Sequence, residues 1–203
     1  MSVSLKKGQK VSLTKESNGG LNTVLVGLGW DEAAKKKSGG FFSSLFSSAG
    51  ESIDCDASAL MLRNGKLVGT HDVVYFGNLA HSTGTVTHLG DNLTGEGVGD
   101  DEQIIVNLAQ VPADYDRIVM VVNIYKASER NQHFGMIKNA FIRIVDSRNN
   151  AELCRFNLSD DYTGMTAMIF GELYRSGGEW KFNAIGQGTT DSSLKELLAR
   201  FHD

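Results

Sequence analysis

The residues best suited to chemistry in this chain are the acidic side chains of one short window, residues 90–102. Five of its thirteen positions are carboxylates and four are glycines, whereas the whole chain has 24 Asp and Glu in 203 residues. Like charges this close repel one another, and Ca²⁺ would relieve that repulsion by taking about six to eight oxygen ligands. The glycines permit the tight backbone path that such a site needs. The carboxylates are Asp91, Glu96, Asp100, Asp101 and Glu102, and Asn92 and Thr94 add neutral oxygens.

A solvated surface loop is the competing interpretation of this window, since acidic, glycine-rich stretches are common on protein surfaces. The spacing also differs from that of an EF-hand. Asp91 and Glu102 are eleven residues apart, as the first and last EF-hand ligands are, but Glu96 stands where that loop has its glycine. If calcium binds here, we expect a loop of a different kind.

Asp54 and Asp56 form a second acidic group, at the start of a hydrophobic strand predicted over residues 52–62. Residues two apart share one face of a strand, and one face of this strand should be buried. Asp31 follows another strand, predicted over residues 21–30. If the two strands pair antiparallel, all three aspartates lie at the same end. Surface carboxylates on an edge strand are the alternative.

The sequence predicts that these residues are positioned mainly by short β-strands. The chain has 23 glycines and one proline, so glycine and asparagine must build the turns. Residues 117–127 contain a near-continuous apolar run, typical of a central strand. Residues 166–175 and 179–187 form a hairpin pattern, and a helix capped by Asp191 is predicted to run to Phe201. About ten strands with little helix predict an antiparallel, two-sheet β-sandwich with a short C-terminal helix.

Length and composition suit one sizeable soluble domain or at most two small ones, and we expect a single domain over residues 1–203 with an insertion loop at 32–51. The net charge of −4 does not favour nucleic acid as a partner. With neither a bilayer-spanning apolar run nor a signal peptide pattern, we expect a cytoplasmic protein. Cys55 and Cys154 lack metal or redox spacing and are predicted to be reduced core residues. The loop carries an apolar group that either packs on the body or contacts a partner or membrane: Phe41, Phe42, Leu45 and Phe46.

Other catalytic patterns are weak. The five histidines show no zinc-binding spacing and are expected to be surface or structural residues, and no phosphate-binding loop or nucleophile motif stands out. Two isolated cysteines make a poor centre for thiol redox chemistry. A metal-dependent enzyme that processes phosphoesters is the alternative function, with His88 or Lys181 as a possible base.

Several long segments identify the chain as similar to the TerD family of bacterial tellurite- and stress-resistance proteins. They cover nearly the whole length. These segments are residues 5–8, 26–31, 54–58, the acidic window, 134–140, 167–175 and 178–188.

The resemblance implies a β-sandwich that binds calcium, generally two ions, at one end, and a non-enzymatic role as sensor or scaffold. It also implies membrane-associated complexes with other tellurite-resistance operon proteins and an integral membrane partner, which would place the protein at the inner face of the membrane. The ligand candidates carried over from the family are Asp31, Asp54, Asp56, Asp91, Asn92, Glu96, Asp100, Asp101 and Glu102.

Two features depart from the family pattern. Val98 stands where the family commonly has an aspartate, so one of the two ions is expected to be weaker or absent unless carbonyls or water substitute. The Ser- and Phe-rich stretch over residues 35–48 is longer than the usual connection, and it is a candidate contact surface.

Overall fold

The computed structural model describes residues 2–17, 20–32, 52–90 and 99–202, and most of them lie in β-strands or tight turns. Three short helices accompany the strands in these ranges: α1 (Leu13–Glu16), α2 (Ala127–Arg130) and α3 (Leu194–Ala199). The strands are β1 (Val3–Leu5), β2 (Lys10–Ser12), β3 (Thr23–Glu32), β4 (Cys55–Leu62), β5 (Val73–Val74), β6 (Val86–His88), β7 (Glu102–Asn107), β8 (Arg117–Ile124), β9 (Ile137–Asp146), β10 (Ala151–Asn157), β11 (Ala167–Ser176) and β12 (Glu179–Thr189).

The described strands form two six-stranded sheets, which confirms the predicted β-sandwich. The first sheet has the order β1-β10-β9-β3-β7-β6, and the second has the order β2-β12-β11-β8-β4-β5. The pairing is antiparallel except where β1 runs parallel to β10, with Val3 opposite Cys154. The first sheet is therefore mixed, and its one parallel strand, β1, lies at the edge.

The two strands that carry the separate aspartates do not pair with each other. β3 lies between β9 and β7 in the first sheet, and β4 lies between β8 and β5 in the second. Antiparallel pairing of β3 with β4, the condition considered for bringing the three aspartates together, is therefore not met. The physical reason is burial: every residue of β4 is buried, so this strand needs a position in which both of its faces are covered.

Two apolar layers cover the two faces of the second sheet. The larger one fills the space between the sheets and includes Trp30, Met120 and Phe170. The smaller one lies on the opposite face, where Leu60 and Val121 contact residues of α3 and its surroundings. β8 is thus buried on both sides, as its apolar run predicted.

Tight turns with left-handed backbone close the hairpins. The β11–β12 turn is formed by Gly177 and Gly178, with φ of 65° and 77°. Asn64 and Gly65, with φ of 53° and 75°, follow β4. Two consecutive positive φ angles match the right-handed twist of the flanking strands, and Asn-Gly and Gly-Gly adopt them at low cost. The hairpin predicted from residues 166–175 and 179–187 is confirmed.

The C-terminal helix is confirmed, but its cap is different from the one predicted. Ser193, not Asp191, precedes the first turn, and its Oγ accepts a hydrogen bond from Glu196 N at 3.3 Å. Asp191 instead accepts hydrogen bonds from Arg200 at 2.6 and 3.1 Å. The carboxylate therefore ties the segment before α3 to the residue that ends it.

The predicted insertion loop overlaps the end of β3. Glu32 belongs to that strand, and the rest of the loop, with Phe41, Phe42, Leu45 and Phe46, lies outside the described residues. Within the described ranges, none of the helices is long and apolar enough to cross a membrane.

Candidate metal site

The acidic end of the sandwich is the place where residues 30–32, 53–56 and 99–102 meet. These segments are the exit of β3, the entrance of β4 and the entrance of β7. Ile53 N donates a hydrogen bond to Glu32 Oε1 at 2.6 Å, which links an element of the second sheet to one of the first. Hydrogen bonds to Asp101 and Glu102 join the third segment to these two.

Asp101 is half-buried against the end of β3. Its Oδ2 accepts a hydrogen bond from Trp30 N at 2.6 Å. Burial raises the pKa of Asp101; the Trp30 amide opposes that shift, and the charges of Asp31 and Asp100 add to it. The carboxylate is thus crowded by other negative charges, and a bound cation would favour its ionised form.

Glu102 is only 1% exposed and fastens the two sheets together. Its Oε2 accepts a hydrogen bond from Ala57 N at 2.7 Å. The short β5 pairs with β4 only at Ala59 and Leu60, so the Ala57 amide lies beyond that partner strand. The Glu102 carboxylate supplies the acceptor that this buried amide needs.

His88 is buried beside Glu102, at the end of β6. Its Nδ1 accepts a hydrogen bond from Gly90 N at 3.1 Å, so the neutral ring carries its proton on Nε2. Nε2 lies 3.3 Å from Glu102 Oε2, within ion-pair distance but outside hydrogen-bond geometry. His88 therefore positions the backbone immediately before residues 91–98, a structural role of the kind the sequence predicted for the histidines.

Asp100 is paired with a side chain that the sequence did not single out. Arg143 donates from Nε and Nη2 to the two oxygens of Asp100 at 2.7 and 2.9 Å. Gln103 Nε2 adds a third hydrogen bond at 3.0 Å. The carboxylate has no exposed surface and lies directly over Gly27, where an added Cβ would be 2.3 Å from it.

Asp56 and Asp54 lie on the other wall of the acidic end. Asp56 is 6% exposed and accepts a hydrogen bond from Asn123 Nδ2 at 3.3 Å. Asp54 is half-buried and directly precedes β4. Burial, followed by the charges of Asp56, Glu102 and Asp54, raises the pKa of the Cys55 thiol well above its ordinary value. Carboxylates of both sheets therefore lie near enough to this thiol to disfavour its ionised form.

Asp31 is exposed at the rim, and its Oδ2 accepts a hydrogen bond from Asn139 Nδ2 at 2.7 Å. Asn139, near the start of β9, has a left-handed φ of 53°, beside a register shift between β3 and β9. Asparagine tolerates this conformation better than most residues. The contact orients the Asp31 carboxylate at the mouth of the acidic end.

The structure places six of the nine predicted ligands at this end of the fold. Within the described ranges, however, no group of three or more His, Cys, Asp or Glu side chains is close enough to hold a metal ion. Asp91, Asn92 and Glu96, together with Val98, lie outside those ranges. The oxygen donors present suit calcium, and a complete ligand shell would need contributions from residues 91–98, carbonyls or water.

Sequence reasoning missed Arg143 and Asn139. It named Lys181 as a possible base but could not locate it relative to the acidic end. A signal for Arg143 existed in the two glycines of β3, because a glycine inside a strand often marks a close approach. Lys181 lies near the β11–β12 turn, at the opposite end of the sandwich, where Nζ donates to Ser176 Oγ at 3.3 Å. It is too remote to act as a base at the acidic end.

This combination of a two-sheet sandwich and an acidic end built from β3, β4 and β7 defines a class of protein with a recognised domain. The TerD domain matches residues 1–201, and the chain belongs to the TerD family. It is 52% identical over 201 residues to the stress response protein SCP2 of Bacillus subtilis (strain 168), covering 99% of this chain and 100% of that protein. It is 48% identical over 189 residues to the tellurium resistance protein TerD of Serratia marcescens, covering 93% and 91%.

Solved structures share the fold at lower identity. The crystal structure of a protein of unknown function, SAV2460, superposes with a TM-score of 0.66 at 23% identity, covering 91% of this chain and 99% of that one. A homologue of telluride resistance protein TerD from Streptomyces coelicolor A3(2) gives a TM-score of 0.60 at 21% identity, covering 87% and 98%. These likenesses confirm the architecture.

Proposed function

We propose that this protein is a calcium-binding, non-enzymatic stress-response protein, associated with tellurite resistance, that acts as a sensor or scaffold in a membrane-associated complex. The observation that carries the proposal is the location of Asp31, Asp54 and Asp101, which come from three chain segments, at the same end of the sandwich. The relatives named as tellurium resistance and stress response proteins support its coarser part.

The described geometry favours some of the candidate ligands over others. Asp31 and Asp101 each accept a backbone or amide hydrogen bond on Oδ2, which orients the carboxylate and leaves lone pairs for a cation. Both oxygens of Asp100 are committed to Arg143, so we assign it chiefly to anchoring the segment. Asp91, Asn92 and Glu96 would complete the shell, and Val98 leads us to expect that one of two ions binds more weakly.

The proposal of a non-enzymatic role rests on the surroundings of the candidate base. A general base must reach the proton that it abstracts. His88 is 2% exposed, and its ring faces Gly90 N on one side and Glu102 on the other. Such a ring is a structural element, and this weighs against the alternative of a metal-dependent phosphoester-processing enzyme.

We further propose a cytoplasmic location, with contact at the inner face of the membrane. Phe41, Phe42, Leu45 and Phe46 would provide the apolar contact, and calcium would bridge a protein of net charge −4 to anionic lipid phosphates. The proposed partners are other tellurite-resistance operon proteins and an integral membrane protein. Sedimentation with anionic liposomes tests this proposal, because equal pelleting in calcium and in EDTA would remove calcium from it.

Isothermal titration calorimetry in chelator-treated buffer tests the calcium site directly. We expect calcium to bind, and binding to the folded state alone stabilises it by about 2.7 kcal/mol at a ligand concentration 100 times Kd. The melting temperature should therefore rise with calcium. Absence of both heat and thermal shift would refute the proposal.

A matched pair of variants separates the site from general effects of charge. Asp101→Asn keeps an oxygen to accept from Trp30 N but removes the charge, so we expect at least a tenfold loss of calcium affinity, about 1.4 kcal/mol. Asp114→Asn makes the same change at the opposite end, where Asp114 pairs with Arg63. Equal affinity losses in the two variants would contradict the assigned location.

A further inference from the structure

The outer face of the first sheet carries a polar pocket beside the acidic end. Its volume is about 580 Å³, within the roughly 300–1,000 Å³ range of small-molecule sites. Three adjacent strands, β3, β9 and β10, supply most of its walls. The lining residues used below are Asp31, Asn139, Phe141, Arg155, Asn157 and Leu158.

The floor of the pocket is a stacked pair of side chains. The Phe141 ring occupies the space beside Gly29, where an added Cβ would come within 2.5 Å of it. The Arg155 guanidinium lies over that ring, with Cζ 3.9 Å from the ring centroid. Stacking holds the guanidinium flat, so it is pre-organised to receive a planar group.

Opposite charges stand at the two sides of this floor. Asp31 lies on β3 opposite Lys138 of β9, and Arg155 lies on β10 opposite Arg143 of β9, so their backbones are offset by five residues along β9. The Arg155 side chain shortens this offset by reaching back over Phe141, which pairs with Gly29, two residues before Asp31. Arg155 bonds to Glu152 through Nε and Nη2 at 3.2–3.4 Å, but a guanidinium has more N–H donors than that carboxylate can take. Asn139 donates to Asp31 at 2.7 Å and sets its direction.

We propose that this pocket binds a small zwitterion with an apolar or aromatic body, of the class of the free aromatic amino acids. The ligand carboxylate pairs with Arg155 and the Asn157 amide, and its ammonium group pairs with Asp31 when that carboxylate does not hold a calcium ion. Its side chain packs against Leu158 and the exposed face of the stacked pair. Asn139, which donates to Asp31, and Phe141, which carries the Arg155 guanidinium, are two residues apart on one face of β9, or about 7 Å, so a single ligand can reach both charges.

Four probes that differ by one feature each test the charge pattern. L-Phenylalanine has both charges and the ring, 2-phenylethylamine lacks the carboxylate, 3-phenylpropionate lacks the amine, and glycine lacks the ring. With EDTA present, calorimetric titration should give L-phenylalanine at least tenfold tighter binding than each of the others, about 1.4 kcal/mol. Equal binding of the four probes, or no binding at millimolar concentration, would overturn the proposal.

Two variants assign the ends of the ligand. Asp31→Asn should abolish the advantage of L-phenylalanine over 3-phenylpropionate, and Arg155→Gln its advantage over 2-phenylethylamine. Arg175→Gln is the matched control, because Arg175 also stacks on an aromatic ring, that of Trp180 at 4.6 Å, but at another site. Thermal melts must show that each variant is folded. Full affinity in both pocket variants would refute the assignment.

The titration distinguishes failure of this pocket from failure of the calcium proposal. Because EDTA removes divalent ions, the outcome does not depend on whether the acidic end binds calcium.

Discussion

Asp100 and Arg143 form a bidentate ion pair on the outer face of the first sheet, with N–O distances of 2.7 and 2.9 Å. The pair joins the entrance of β7 to the middle of β9, across β3. Gly27 makes the contact possible, because any side chain there would occupy the space of the carboxylate. Asp100 therefore anchors the segment before β7, which carries Asp101 and Glu102, to β9.

Loss of Arg143 should be more harmful than loss of both partners. Arg143→Gln leaves the buried Asp100 charge without its partner, and we expect a loss of about 2–4 kcal/mol in the free energy of unfolding. The double variant with Asp100→Asn should recover part of that loss. Urea titrations of the wild-type protein, both single variants and the double variant measure the coupling. Additive losses would contradict a direct interaction.

Gly27→Ala should destabilise the protein through a single clash. Its Cβ would lie 2.3 Å from the Asp100 carboxylate, which is a steric clash. The buried carboxylate can avoid this clash only by moving away from Arg143. We expect a loss of about 1–3 kcal/mol, typical of overpacking. Combining it with Asp100→Ala removes the clashing atoms. The alanine at 27 should then cost less than it does in the wild-type background, and an equal cost would place the strain elsewhere.

A buried network at the opposite end should govern the response to acid. Burial alone would raise the pKa of Asp72, but hydrogen bonds from Tyr115 and His81 and the charge of Arg63 outweigh it and lower the pKa below its ordinary value. The distances from Asp72 are 2.6 Å to Tyr115 Oη, 3.2 Å to His81 Nε2 and 2.7 Å to Arg63 Nη1.

The sign of the pH effect follows from this lowered pKa. Asp72 contributes stability above its unfolded-state pKa, and that contribution is lost as pH falls through its folded-state pKa. Tyr115→Phe removes one hydrogen bond to the charged form, so the variant should lose about 1–2 kcal/mol and unfold at higher pH. Acid titrations followed by circular dichroism test this expectation, and an unchanged acid midpoint would contradict it.

The same network offers a test of independence between the two ends. Asp72→Asn should lower the melting temperature, because a fully buried carboxylate with three partners is replaced by an amide that mismatches them. It should leave calcium affinity unchanged, since the network lies at the far end of β4 from the acidic end. A change in affinity as large as that of Asp101→Asn would show that the two ends are coupled.

Both thiols should be unreactive in the folded protein. Burial raises the pKa of Cys154 to about 12, and burial with nearby carboxylates raises that of Cys55. Thiolate is the reactive form, so iodoacetamide should modify neither residue until the protein is denatured. Rapid labelling of either cysteine in native buffer would revive a direct thiol role in tellurite chemistry.

Much of the secondary structure could be predicted from local patterns. The apolar run of β8, the Gly177–Gly178 turn and the amphipathic α3 are local signals, because turn geometry and helix periodicity depend on near neighbours. The pairing of β3 with β9 and β7 could not be predicted. Strand order depends on which faces are covered, and the sequence does not state that α3 covers the outer face of β4.

The candidate site divides in the same way. Sequence by itself determined the chemistry: an excess of carboxylate oxygens in one window, a second pair at Asp54 and Asp56, and glycines to bend the chain. Only the tertiary structure decided their roles, since it pairs Asp100 with Arg143 and gives Glu102 a hydrogen bond from the Ala57 amide. Charge and hydrogen-bonding capacity belong to residue types, whereas partnership depends on distances across strands that are far apart in the chain.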